Sequence, residues 1–240
     1  MAGSDTLFLL PGLMCDAAVW QHQRTHLSDH ARIVIPDFRG FDSLTAMAHQ
    51  VLATAPETYT VAGHSMGGRV ALELFNLAPA RMTRLALLDT GVHGKTAGEE
   101  QLRQGYIDLA LQGGMGAVAA KWIPAMVHPQ RRSDTDLIDR ITAMVKRTSV
   151  TEFTGQIRAL LNRPDAGAYL PNIQCPALLL AGRQDTWSPP HQHTAMLQAI
   201  PHATLIIIEN AGHMTPMERP DAVTTALRDW LINWGKGDGI

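Results

Sequence analysis

One stretch of the sequence decides the fold: Thr60-Val61-Ala62-Gly63-His64-Ser65-Met66-Gly67-Gly68. In it a serine lies between two glycines, immediately after a β-branched and apolar run and before a helical pattern. Because Gly63 and Gly67 lack Cβ atoms, the chain can hold Ser65 in a strained backbone conformation at a sharp strand-to-helix turn. The pattern therefore predicts a nucleophile elbow. In a chain with 20 glycines the pattern alone is weak, so its meaning depends on a base and an acid elsewhere.

Short apolar runs alternate with longer segments of helical pattern along the chain, as is typical of a doubly wound α/β sheet. The runs have no polar alternate face, which favours parallel strands covered by helices on both sides. The predicted strands are 7–10, 32–35, 59–62, 85–88, 177–181 and 205–208. The predicted helices are 17–27, 44–54, 66–77, 190–199 and 221–234.

The connection between residues 90 and 176 is too long for a simple crossover and contains no convincing strand. Because a structureless loop of that length is implausible in a compact domain, its helix-like stretches should form a separate layer. These stretches are 99–112, 115–123, 134–148 and 150–161. We therefore predict one domain with a core of residues 1–90 and 177–240 and a helical cap, residues 91–176, inserted in it.

The composition narrows the classes of partner. A formal charge of -2 and a pI near 6.6 provide no basic surface for nucleic acid or anionic lipid, so a small-molecule partner is expected. The first residues show no cationic region followed by an apolar core, and the apolar runs are only strand-sized. Two cysteines, Cys15 and Cys175, fit a reducing compartment. We expect a cytoplasmic protein without a membrane span; the oligomeric state stays open.

Two further residues could complete the chemistry of Ser65. A serine hydroxyl is a poor nucleophile at neutral pH and needs a base within hydrogen-bond reach, itself oriented by a third group. Asp185 follows the fifth predicted strand and His213 follows the sixth, so all three lie at carboxyl ends of strands, where open α/β sheets bind ligands. Asp89, at the end of the fourth strand, is an alternative acid.

Negative charge that develops on a carbonyl oxygen requires two preorganised N–H donors. The N–H of Met66, at the start of the helix after the serine, is one candidate. The turn after the first strand can supply the N–H of Leu13 as the other, because Pro11 and Gly12 permit a tight loop there. Leu13 and Met66 are therefore predicted to form an oxyanion hole.

These motifs resemble those of the α/β-hydrolase superfamily, and within it the small capped serine esterases represented by the pimeloyl-carrier-protein methyl esterases. The resemblance covers most of the chain and is carried by residues 11–13 with Trp20, 63–68, 182–189 and 212–220. It departs from the family in two respects: the oxyanion turn has Pro11-Gly12 where His-Gly is common, and that turn comes at residue 11, whereas the family usually has two additional strands before it. We therefore expect an open sheet of about six strands, mostly or wholly parallel, flanked by helices and with a helical cap.

The resemblance implies a role for each residue that matches the family's motifs. Ser65 would be the nucleophile, His213 the general acid and base, and Asp185 the group that orients the imidazole. Leu13 and Met66 would be the oxyanion-hole donors. The implied mechanism uses no metal and no organic cofactor.

Four apolar side chains are candidates for substrate binding. Trp122 and Met126 lie in the predicted cap, Trp187 is close to Asp185 in sequence, and Met214 follows the candidate base. Methionine is flexible and suits variable apolar ligands, although such residues often only join a cap to a core.

One other group of side chains could suggest a metal site. His22, His26 and His30 recur every four residues, but no carboxylate or cysteine completes a ligand shell, so no metal site is predicted.

The favoured function is a serine hydrolase that cleaves a small carboxylic ester, thioester or lactone through an acyl-enzyme. One alternative is a lyase resembling that of menaquinone synthesis, which uses the same triad and binds carboxylates through arginines. Arg69 could bind such a carboxylate. Whether Arg103, Arg147 and Arg158 point into the pocket would distinguish the lyase from the hydrolase. Another alternative is a relative that binds ligand without turnover.

Overall fold

A computed structural model describes residues 5–233. Its centre is a six-stranded sheet in the order β2-β1-β3-β4-β5-β6, and every pair of neighbouring strands is parallel. The strands are β1 (Thr6–Leu10), β2 (Arg32–Val34), β3 (Tyr59–His64), β4 (Met82–Leu88), β5 (Ala177–Gly182) and β6 (Ala203–Ile208). The predicted open parallel sheet of six strands is confirmed.

Helices cover both faces of the sheet. They are α1 (Gln21–Leu27), α2 (Leu44–Thr54), α3 (Met66–Leu77), α4 (Glu99–Met126), α5 (Thr135–Lys146), α6 (Val150–Leu161), α7 (Pro190–Ala199), α8 (Thr215–Glu218) and α9 (Pro220–Asn233). Short 3-10 turns lie at Ala17–Trp20, Pro79–Arg81, Pro129–Arg131 and Gly167–Asn172. Among the residues described, no helix is both long and apolar enough to cross a bilayer.

The central strands are apolar because helices pack on both of their faces. Every residue of β1, β3 and β5 is buried, whereas the edge strands β2 and β6 are largely half-buried. Each fully buried leucine or valine contributes about 1.5–3 kcal/mol relative to an exposed one. The sheet is therefore a rigid platform whose carboxyl edge can hold side chains in place.

Local backbone geometry changes two of the predicted helices. The predicted helix 17–27 is divided: Asp16 caps a 3-10 turn by accepting a hydrogen bond from the N–H of Ala18, and α1 begins only at Gln21. The stretches 99–112 and 115–123 are two helical segments of α4 that meet at a kink at Gly114, with φ 69° and ψ -178°, and the second segment continues to Met126. The end of the predicted helix 221–234 lies outside the described residues.

Helices α4, α5 and α6 lie between β4 and β5, where the cap is predicted. The helices α5 and α6 begin at side-chain caps: Asp134 accepts from the N–H of Leu137, and Ser149 with Glu152 forms a reciprocal capping box. Their inner faces are apolar and join the core. The division into a core of residues 1–90 and 177–240 and a cap of residues 91–176 stays a prediction.

Candidate active site

Ser65 occupies the turn between β3 and α3 in a strained conformation, with φ 53° and ψ -115°. The flanking glycines are required by close backbone contacts. A Cβ on Gly63 would lie 2.3 Å from the carbonyl oxygen of Gly67, and a Cβ on Gly67 would lie 2.2 Å from that of Leu10. Only glycine lets the elbow pack this closely against its own helix and against β1, which exposes the serine at the sheet edge.

The three residues predicted to form a triad lie in hydrogen-bond contact. Ser65 Oγ is 2.8 Å from His213 Nε2, and His213 Nδ1 is 2.8 Å from Asp185 Oδ2. The other oxygen of Asp185 accepts hydrogen bonds from the backbone N–H groups of Trp187 and Ser188, at 2.8 and 2.9 Å. A continuous series of hydrogen bonds therefore joins the serine hydroxyl, through the imidazole, to a fixed carboxylate.

Electrostatics favour a charged Asp185 and a basic His213. Burial tends to lower the pKa of the imidazole, but the charge and hydrogen bond of Asp185 outweigh it and raise the pKa of His213 above its ordinary value. Burial tends to raise the pKa of the Asp185 carboxyl. Attraction to His213 and the hydrogen bonds that Asp185 accepts outweigh burial and hold this pKa below its ordinary value. The arrangement can therefore accept a proton from the serine and stabilise the resulting imidazolium.

Asp89, the alternative acid, makes different contacts. It is fully buried at the end of β4, where its Oδ1 accepts a hydrogen bond from the N–H of Gly182 at 3.0 Å and its Oδ2 accepts one from the hydroxyl of Thr215. Burial and repulsion by the charge of Asp185 raise the pKa of Asp89 well above its ordinary value. Asp89 is therefore a structural carboxyl that holds Gly182 and Thr215, and the group that accepts the hydrogen bond from His213 Nδ1 is Asp185.

The backbone of His213 is anchored on both sides. Its N–H donates to the carbonyl oxygen of Met126 at 2.7 Å, and its carbonyl oxygen accepts from His64 Nε2 at 2.7 Å. Burial lowers the pKa of His64 to about 3, so this imidazole is neutral and its Nε2 carries a hydrogen to donate. The two contacts fix the position of the candidate base between α4 and the elbow.

Glu218, which was not predicted from the sequence, anchors the loop that carries His213. Its carboxylate accepts hydrogen bonds from the N–H groups of Gly212 and Met214, which flank the base, and of His128, which follows α4. Glu218 is only 1% exposed, and a buried carboxylate needs such donors. The sequence offered one signal, a glutamate that directly follows the mostly apolar residues 214–217.

The two predicted oxyanion-hole residues, Leu13 and Met66, line the same cavity as Ser65. Within residues 5–233 neither N–H donates to a protein acceptor, so both are free for a ligand oxygen. The turn is supported by Gln156 of α6, whose Oε1 accepts from the N–H of Met14 at 2.9 Å. This glutamine supports the turn that has Pro11-Gly12 in place of His-Gly, and sequence reasoning did not identify it.

A cavity of about 440 Å³ opens above Ser65 and His213. Trp122, Met126 and Trp187 line it, as expected of substrate-binding residues. Met214 does not: its side chain is fully buried in the hydrophobic core, so its predicted place in the substrate pocket was wrong. The physical reason is that the loop anchored by Glu218 turns the residue after the base away from the cavity.

The arginines of the sequence separate into two groups. Arg69 and Arg103 line the cavity, together with Arg163, which sequence reasoning did not consider. Arg147 instead pairs with Asp16 at 2.6 Å on the surface, and the exposed Arg158 is not part of the lining.

The three recurring histidines do not assemble a metal centre. His22 accepts or donates a hydrogen bond with Thr224 Oγ1 at 2.9 Å and stacks on His26. Across residues 5–233, no group of three or more histidine, cysteine, aspartate or glutamate side chains is placed to hold a metal ion.

A parallel sheet with a strained serine after β3, an acid after β5 and a histidine after β6 is the architecture of an α/β hydrolase. Residues 7–226 match the model of the alpha/beta hydrolase family, and the chain belongs to that family.

Similar proteins include hydrolases. The chain is 28% identical to the pimeloyl-[acyl-carrier protein] methyl ester esterase of Photobacterium profundum, over 95% of each protein. It is 26% identical to (E)-2-((N-methylformamido)methylene)succinate hydrolase of Acinetobacter baylyi, over 95% of this chain and 90% of that one. A solved structure of a thermophilic esterase from Thermogutta terrifontis, with malate bound, superposes with a TM-score of 0.87 at 30% identity, covering 95% of this chain and 90% of the esterase.

Proposed function

We propose that the protein is a serine hydrolase that cleaves a small carboxylic ester, thioester or lactone through an acyl-enzyme. The observation that carries the proposal is the hydrogen-bonded series Ser65, His213 and Asp185 at the base of an accessible cavity. The names of the relatives, two of which are esterases, support the same reaction class.

In the proposed mechanism, Ser65 Oγ attacks the substrate carbonyl while His213 Nε2 takes its proton. The N–H groups of Leu13 and Met66 stabilise the negative oxygen of the tetrahedral intermediate. His213 then gives its proton to the leaving group, and the acyl group stays on Ser65. A water molecule, deprotonated by His213, attacks the acyl-enzyme and releases the acid, while Asp185 holds the imidazole throughout.

A lyase with the same triad is the second candidate, because Arg69 and Arg103 line the cavity as carboxylate-binding residues would. The lyases that the sequence resembles typically carry a tyrosine at the position of His64. Here His64 is buried against the backbone of His213 and does not line the cavity, which favours the hydrolase.

Labelling by a fluorophosphonate tests the proposed nucleophile. We expect the folded protein to be phosphonylated at Ser65 and to hydrolyse p-nitrophenyl esters. Peptide mapping distinguishes Ser65 from Ser188, another serine that lines the cavity. A folded protein that is neither labelled at Ser65 nor active on any small ester would overturn the proposal.

The pH profile should show the titration of His213. The base must be neutral to accept a proton, so activity is present above the pKa of His213 and is lost as pH falls through it. Because Asp185 raises that pKa, we expect the acid limb of kcat/KM for a neutral ester to have its midpoint above the ordinary imidazole value of about 6.5. Asp185→Asn should move the midpoint to lower pH. A wild-type midpoint below 6.5 would contradict the assignment.

A further inference from the structure

The wall of the cavity carries more positive than negative charge. Three arginines line it, Arg69, Arg103 and Arg163, but among the residues that the structure describes Glu99 is the only carboxylate in the lining. An uncompensated charge that is withdrawn from water is costly, and proteins usually pair it with an anion. The contacts of the three arginines show which of them lack a partner.

Arg163 is fully engaged within the protein. Its Nη1 and Nη2 donate to the two oxygens of Glu99 at 2.7 and 2.6 Å. Its remaining hydrogen bonds go to the backbone carbonyl oxygens of His93, Leu160 and Gly94. Arg163 and Glu99 therefore neutralise each other and join the loop after β4 to the end of α6.

Arg103 has free donors. Its Nε donates to Glu99 Oε1 at 2.7 Å, but within residues 5–233 its two terminal nitrogens donate to no acceptor. Its guanidinium carbon lies 6.0 Å from the ring centre of Trp187, one of the side chains of the cavity wall. Since Glu99 is already paired with Arg163, Arg103 adds a positive charge to the wall.

Arg69 makes no ion pair with any described residue. It lies on the first turn of α3, four residues after Ser65, and its Nη1 donates to the carbonyl oxygen of His93 at 2.8 Å. Burial and repulsion by Arg163 lower the pKa of Arg69 to about 9, which still leaves it charged at neutral pH. Gly91 lies close to this guanidinium, because a Cβ there would lie 3.3 Å from Arg69 Nη2 and 2.9 Å from Gln192 Oε1.

Nearby titratable groups do not cancel this charge. Burial and the charges of Arg69 and Arg163 lower the pKa of His93, so its imidazole is neutral. Asp165 attracts Arg69 but makes no ion pair with it and does not line the cavity. Two positive charges therefore remain on the same wall, close to the candidate nucleophile.

We propose that Arg69 and Arg103 form an anion subsite that binds a carboxylate carried by the substrate, so that the preferred substrates are esters, thioesters or lactones with a free carboxylate. Guanidinium groups with unused N–H donors fit a carboxylate in geometry and in charge. The apolar side chains of Leu160, Trp122 and Met126 line the rest of the cavity and suit the carbon chain of such a substrate. This inference rests on the proposed hydrolase function.

A pair of substrates that differ only in charge tests the subsite in the wild-type protein. The first substrate of each pair is the monomethyl ester of a linear dicarboxylic acid, and the acids form a series from malonate to adipate. The second is the same ester with the free carboxylate replaced by a carboxamide. We expect kcat/KM for the best carboxylate ester to exceed that of its carboxamide partner at least about tenfold, because charge-assisted hydrogen bonds are stronger.

Arginine variants assign the preference to the subsite. We expect Arg69→Gln and Arg103→Gln each to reduce the ratio of kcat/KM for the carboxylate ester to kcat/KM for the carboxamide ester at least about tenfold, mainly by raising KM for the carboxylate ester. Arg158→Gln removes an exposed arginine outside the cavity and should change neither substrate. In Ser65→Ala protein, calorimetry should detect binding of glutarate or succinate that Arg69→Gln abolishes.

Equal kcat/KM for the paired esters across the series, or equal losses on both esters in the arginine variants, would overturn the subsite. Absence of dicarboxylate binding to the Ser65→Ala protein would do the same. None of these results affects fluorophosphonate labelling of Ser65, which tests the hydrolase function separately. The two proposals can therefore fail independently.

Discussion

Ser65→Ala is expected to lower kcat for a small ester about a million-fold, because the variant lacks the hydroxyl that contacts His213 Nε2 and that would form the acyl-enzyme. The residual rate would come from binding and from the N–H donors of the oxyanion hole. The fold should persist, since the backbone of the elbow is held by close packing of its glycines rather than by the serine hydroxyl. Steady-state kinetics with a p-nitrophenyl ester, together with circular dichroism, measure both effects.

Ser28→Ala is a suitable control for Ser65→Ala, since Ser28 is exposed and its hydroxyl contacts only the backbone of α1. It should retain wild-type kinetics. If Ser65→Ala kept more than about one hundredth of the wild-type kcat in a preparation free of contaminating esterase, the acyl-enzyme mechanism would be wrong.

Asp185→Asn should have the next largest effect, a loss of about 10⁴ in kcat. Asparagine can keep the hydrogen bonds from the N–H groups of Trp187 and Ser188, but it cannot stabilise the imidazolium or hold His213 in the required tautomer. The variant should therefore bind substrate normally and fail in the chemical step, which single-turnover kinetics would show.

Asp89→Asn is the matched comparison, because asparagine has the shape of this fully buried carboxyl and its Oδ1 can still accept the hydrogen bond from the N–H of Gly182. We expect a loss below about tenfold, in line with the weakening of one hydrogen bond. If Asp89→Asn were as damaging as Asp185→Asn, the carboxyl at the end of β4 would be the group that serves His213, and the present assignment would be reversed.

The sheet and the positions of the three predicted catalytic residues could be predicted because their signals are local. Apolar runs of strand length mark the buried strands, and the glycines on either side of Ser65 mark the turn. Asp185 and His213 follow consecutive strands, so the topology of a parallel sheet alone brings them to one edge. These features need no knowledge of distant contacts.

The supporting residues could not be predicted, because their function depends on contacts between distant parts of the chain. Gln156 meets the N–H of Met14 across 142 residues, and Glu218 meets that of His128 across 90. Met214 was misplaced for the same reason, since its direction is set by the loop that Glu218 holds. An arginine such as Arg163 is equally uninformative in sequence until its partner Glu99 is known.

The hydrogen bonds of Gln156, Glu218 and Met126 join the helices between β4 and β5 directly to the oxyanion turn and to the loop of the base. Swinging those helices outward would break the bonds that align the reacting groups. A substrate would therefore enter a preassembled chamber through its existing mouth, beside Trp187, which is 36% exposed.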